Sequence, residues 1–119
     1  MDFPKRAVVW ITVKMDGTVW VVPEEAFLAK GGTLTWIVES QQGDVVRIEF
    51  EEKKGKKGPL KALQNEERGK YDFSGPARKE TGEVDYDPFW KRARYWKYTL
   101  TLERGNKTVK EIDPGIWIK

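Results

Sequence analysis

Residues 44–52, Asp-Val-Val-Arg-Ile-Glu-Phe-Glu-Glu, decide the fold class. Val46, Ile48 and Phe50 alternate with Arg47, Glu49 and Glu51. Successive side chains of a strand point to opposite faces, so this period of two specifies a strand with one apolar and one solvated face. The signal recurs on both sides. Upstream, Leu34, Trp36 and Val38 share one face of TLTWIV (33–38), and Thr33, Thr35 and Ile37 share the other. RAVVWITVKM (6–15) and TVWVV (18–22) are rich in β-branched and aromatic residues, with the turn signal Asp16-Gly17 between them. TVWVV stops at Pro23, and the short AFLAK (26–30) runs into Gly31-Gly32. Downstream, YWKYTLTLE (95–103) sets Trp96, Tyr98, Leu100 and Leu102 against Lys97, Thr99 and Thr101. A turn at Gly105-Asn106, the strand-like KTVKEI (107–112) and a second turn at Asp113-Pro114-Gly115 precede IWIK (116–119).

Between Lys53 and Pro88 the regularity fails. This interval is dense in charge, Gly and Pro, and too long for a bare loop, so short elements are expected inside it. Leu60 and Leu63 in PLKALQNEER (59–68) have i, i+3 spacing, which suits one or two helical turns. KYDFS (70–74) suits a short strand. The whole chain, residues 1–119, is expected to form a single domain with its own core. About seven to eight short strands with turn signals between them imply an all-β Greek-key sandwich.

Order within that pattern carries a family resemblance. Pro23 follows a first hairpin, AFLAKGGTLTW reads as strand-turn-strand, and VRIEF alternates. A long variable segment, YWKYTLTL and a closing DPGIWIK complete the series. This order resembles the cupredoxin-like family, over most of the chain except residues 53–88. The resemblance implies the family's β-sandwich. It also sets Val46 where metal-binding members begin their first ligand strand with His, and Leu100 near the ligand Cys. A blue-copper centre needs two imidazoles and a thiolate, and this chain has no His and no Cys. The resemblance therefore carries over the fold and not copper electron transfer. Hydrocarbon is expected to fill the vacated ligand positions Val46 and Leu100, and no cofactor is implied.

Composition narrows the chemistry further. Without His or Cys, covalent catalysis falls to Ser, Thr, Lys, Tyr or carboxylates. Ser40 and Ser74 are the only serines, and neither lies in a G-x-S-x-G turn. Glu24-Glu25, Asp44, Glu66-Glu67 and Asp85-Tyr86-Asp87 offer oxygens to a hard cation but lack EF-hand spacing. They read as solvated acids, and the chain reads as a non-enzyme. The short apolar stretch near the N-terminus lacks a signal-peptide pattern, and no apolar run approaches the ~20 residues of a membrane span. A cytoplasmic location without membrane partners is expected. The Lys- and Glu-rich charge suits a thermophile.

Function is therefore expected on the surface. Six Trp, five Phe and four Tyr exceed what the inward positions absorb. Trp10 lies opposite Val9, Ile11 and Val13, Trp117 opposite Ile116 and Ile118, and Trp90 precedes Arg92 and Arg94. Aromatic residues flanked by Arg are the usual material of protein interfaces. These five residues are the candidate binding positions, for an unknown protein partner or for a second copy. The alternative is a single-stranded nucleic acid or another polyanion. Phe89, Trp90, Tyr95 and Trp96 interleave with Lys91, Arg92, Arg94 and Lys97, and Lys53–Lys57 is a basic run. A net charge of only +3 weakens that alternative.

Overall fold

The computed structural model describes residues 2–53, 55–63, 66–85 and 92–119. The first half of the chain forms strands β1 (Arg6–Val13), β2 (Val19–Val22), β3 (Glu25–Leu28), β4 (Thr33–Glu39) and β5 (Asp44–Phe50). Next come the two-residue strands β6 (Glu52–Lys53) and β7 (Lys56–Lys57), then β8 (Lys70–Ser74) and β9 (Ala77–Glu80). The long β10 (Arg94–Arg104), β11 (Lys107–Ile112) and β12 (Gly115–Ile118) close the chain.

One sheet has the order β2-β1-β4-β9, with β1 antiparallel to β2 and parallel to β4. A second has the order β3-β12-β10-β5-β8, with β3 parallel to β12 and β11 paired to the far end of β10, and β6 and β7 form a separate two-stranded ribbon. The hairpin joining β1 to β2 turns where the sequence signals it. Gly17 takes φ +89°, and the Thr18 N–H donates to Asp16 Oδ1 at 2.9 Å. Pro23, preceded by a cis peptide, follows β2 in the first sheet, and β3 then joins the second.

The two sheets face each other across a single apolar core. Val9, Ile11 and Val13 of β1 and Leu34, Trp36 and Val38 of β4 come from one side, and Val46, Ile48, Phe50, Tyr98, Leu100 and Leu102 from the other. Trp36 sits at the centre. Its ring meets Tyr98 edge-on at 4.9 Å, Tyr71 at 5.9 Å and Phe50 at 6.4 Å, all from the opposite sheet.

The short helix expected within residues 53–88 is absent: among the described residues there is no helix. Leu60 forms an antiparallel bridge with Val84. The Lys61 N–H donates to the Glu83 carbonyl, and the Asp85 N–H to the Pro59 carbonyl, each at 2.9 Å. These bonds across the chain use backbone groups that a helical turn would need. Leu60 is fully buried, the strand expected at KYDFS forms as β8, and β6, β7 and β9 come in addition. Among the described residues no helix is long and apolar enough to cross a membrane.

Both ends of the described chain are bound to the turn between β3 and β4. The Ala29 N–H donates to the Pro4 carbonyl at 2.7 Å, and the Thr33 N–H to the Lys5 carbonyl at 2.9 Å. Lys119 donates to the Leu28 carbonyl and accepts from the Lys30 N–H, both at 3.2 Å.

Candidate functional site

The outer face of the four-stranded sheet is unusually apolar. Once Val9, Ile11 and Val13 face the core, the period of two turns Val8 and Trp10 outward. Register then builds a row: Trp10 lies beside Val22 of β2 and Ile37 of β4, and Ile37 lies beside Arg78 of β9. In the next row Thr12 stands between Trp20 and Glu39. Trp20 and Val22 are each 58% exposed, Trp10 is 45% and Val8 is 42%. Together these four side chains present roughly 400 Å² of apolar surface, the size at which a patch on a monomer is commonly functional. Charge frames it. Lys14 Nζ stands 5.5 Å from the centroid of the Trp20 ring, a cation–π distance, and Arg6, Glu39, Arg78 and Glu80 are exposed around the patch.

A second aromatic group lies on the other sheet. Trp117 is half-buried, and its neighbours in register are Phe27 and Tyr95. The Tyr95 ring packs on it at 5.0 Å, and Trp117 Nε1 donates to Glu25 Oε2 at 3.4 Å. Phe3 meets Phe27 edge-on at 5.2 Å, over a groove of about 470 Å³ that Phe3, Arg6, Pro23 and Phe27 help to line. Partial burial, then the carboxylates of Glu25, Glu51 and Asp113, raise the Tyr95 pKa above its ordinary value. The Tyr95 phenol therefore stays protonated at neutral pH.

The structure separates the residues that the sequence grouped. Trp10 and Trp117 lie on different sheets. Arg92 and Arg94 are exposed at the entrance of β10, and Trp90 lies outside the described residues together with Phe89 and Lys91. Trp96 is buried, with Lys53 Nζ 5.4 Å from its ring centroid. Val46 and Leu100 are fully buried among other hydrocarbon side chains. Val46 is flanked by Leu102 and Phe73, and Leu100 by Ile48 and Ile112. Trp20, Val22 and Val8 did not stand out in the sequence as surface residues. The signal was present: VWVV and AVVWITV are apolar at both parities, so one parity must face outward once the other fills the core.

Asp44, Glu66, Glu67 and Asp85 pair with cations and not with one another, and Asp87 lies outside the described residues. Asp44 is buried and receives Arg104 Nε at 2.8 Å and Nη2 at 3.1 Å, with the Gln41 N–H at 3.0 Å. Glu66 pairs with Lys79 at 2.6 Å, and Asp85 with Arg68 and Lys56. Among the described residues no three His, Cys, Asp or Glu converge on a point that could hold a metal ion. Comparison of the chain with protein-family models and with curated protein sequences gave no match.

Proposed function

We propose that this chain is a metal-free, cupredoxin-like Greek-key domain that works as a non-catalytic protein-interaction module. Its docking surface is the outer face of the four-stranded sheet, centred on Trp10 and Trp20. The observation that carries this reading is the clustering of Val8, Trp10, Trp20 and Val22, each more than two-fifths exposed, on one sheet face. Rigid aromatic anchors within a charged rim have the composition of an interface centre and its border. The family likeness draws support from the two sheet orders, from the run from β2 to β3 that serves both sheets, and from the hydrocarbon at Val46 and Leu100. Binding of single-stranded nucleic acid at residues 89–97 draws less support, because Trp96 is buried and Tyr95 packs on Trp117.

Site-specific photo-crosslinking in extract of the native host tests the docking surface. A benzoylphenyl group at position 10 should give a discrete protein adduct, and the same group at Asp72 on the other sheet should not. For the partner so identified, Trp10→Ala should weaken binding roughly 30-fold, the loss typical of a central aromatic anchor. Equal labelling from both positions, or none from position 10, would remove this face as the docking surface for a foreign protein.

A further inference from the structure

Strand β2 is an edge of its sheet, and hydrogen-bond phase shows which of its groups are free. The Lys14 N–H donates to the Thr18 carbonyl at 2.8 Å. Bonded pairs recur at every second residue of an antiparallel ladder, so Thr12–Trp20 and Trp10–Val22 are the bonded pairs that follow. Val19 and Val21 therefore turn their N–H and C=O groups away from β1. Among the described residues no strand pairs with that side. Natural edges are usually guarded by charge, a bulge or proline. Here Thr18–Val22 carries no charge and the register has no shift, and only Pro23 guards one end.

The sequence of this edge is also symmetric: Val19-Trp20-Val21 reads the same in both directions. We propose that the edge takes a second copy of the chain, β2 paired antiparallel to β2 about a two-fold axis at Trp20. The inference rests on the reading that this sheet takes protein partners, and it names the partner. About that axis Val19 faces Val21 of the second copy, so every outward N–H and C=O of these residues finds its complement. Trp20 faces Trp20 of the second copy at a non-hydrogen-bonded position, where Cα atoms stand ~4.5 Å apart and cross-strand aromatic pairs pack best. A foreign strand would satisfy the backbone equally well. Only a copy brings an uncharged stretch of the same length with Trp set against Trp. The apolar area near the axis, part of the roughly 400 Å² on this face, falls short of the ~800 Å² per partner of a standard interface. The dimer is therefore weak, reversible and dependent on concentration.

Sedimentation velocity over a concentration series tests it. The native chain should pass reversibly from monomer to dimer. Val19→Pro removes an outward donor without touching a bond to β1, and Trp20→Lys sets like charges across the axis. Each should raise the dissociation constant at least ~10-fold while leaving the far-ultraviolet circular dichroism unchanged. A third variant reads the register directly. The chain has no cysteine, so Trp20→Cys gives a single thiol, and a Cα spacing of ~4.5 Å suits a disulfide. Mild oxidation should link Trp20→Cys into a covalent dimer much faster than Val8→Cys on the same face. A native chain that stays monomeric up to ~1 mM overturns the pairing, as does a dimer that survives both Val19→Pro and Trp20→Lys. Equal cross-linking of the two cysteine variants overturns it as well. The outcomes also separate the two readings. A foreign adduct at position 10 with a monomeric native chain sinks the pairing alone, and the stated dimer without a foreign adduct sinks the foreign-partner use of the face alone.

Discussion

Asp44 illustrates how one residue ties distant parts of the chain together. Its carboxylate is 1% exposed, and the Arg104 side chain that grips it also donates to the carbonyls of Met15 at 2.8 Å and Lys14 at 3.1 Å. One guanidinium thus clasps the first hairpin to the end of β10. The Arg104 hydrogen bonds come first among the causes that hold the Asp44 carboxyl below its ordinary 3.8, followed in the same direction by the Gln41 N–H. The same bonds raise Arg104. A carboxyl depressed by folding adds stability that is fully present above its unfolded pKa and lost as pH falls through the folded one. Asp44→Asn should therefore lower stability at pH 7 by about 2 kcal/mol, a figure discounted because Arg104 is partly solvated. The difference between the two proteins should shrink as pH falls below the ordinary carboxyl range, and urea midpoints along a pH series check this. Nothing in the sequence marked the clasp, because only the register of β5 on β10 brings positions 44 and 104 together. The outward turn of Trp10, by contrast, followed from its buried neighbours Val9 and Ile11.

At the scale of elements, the strands with clean alternation were the most legible. From Val46 to Phe50 in β5 and from Trp96 to Leu102 in β10 a single parity is apolar, and it is the buried one. Residues 53–88 were less legible because their bonds run to distant partners. Leu60 and Leu63 at i, i+3 suggest a helix, yet Leu60 bridges to Val84 and is buried in the same core as Phe50 and Tyr71. Gly58 is needed for that route. It takes φ +81°, and a Cβ there would meet Phe50 Cβ at 2.8 Å and Cγ at 2.9 Å. Gly43 takes a similar φ of +89°, but a Cβ there would meet nothing within 4 Å. Gly58→Ala should cost about 3 kcal/mol and Gly43→Ala about 1 kcal/mol, the difference being the collision with a core aromatic. Chemical denaturation of the two variants side by side measures that difference.

At the scale of the whole molecule, the fold is held by pairings far apart in sequence: β1 with β4, β3 with β12 and β5 with β10. Such partners leave no local trace, so the sequence conveyed strand character without sheet order. Both sheets share one core around Trp36, and neither has an apolar interior of its own. Unfolding should therefore be a single event. Tryptophan fluorescence, to which buried Trp36 and Trp96 contribute, and circular dichroism, which reports both sheets, should give coincident urea transitions with a slope of ~1–3 kcal/mol/M. Separated midpoints would mean that one sheet survives the other.

The bonds from Pro4, Lys5 and Lys119 to the turn at residues 28–33 have a consequence for how the molecule can be carried. The first and last strands are moored at one pole, and the Asp44–Arg104 clasp closes the other. Whatever is fused before residue 2 and after residue 119 would leave side by side, like two cords from one ring. The domain would then hang as a pendant on a longer polypeptide, adding little to the distance between its neighbours.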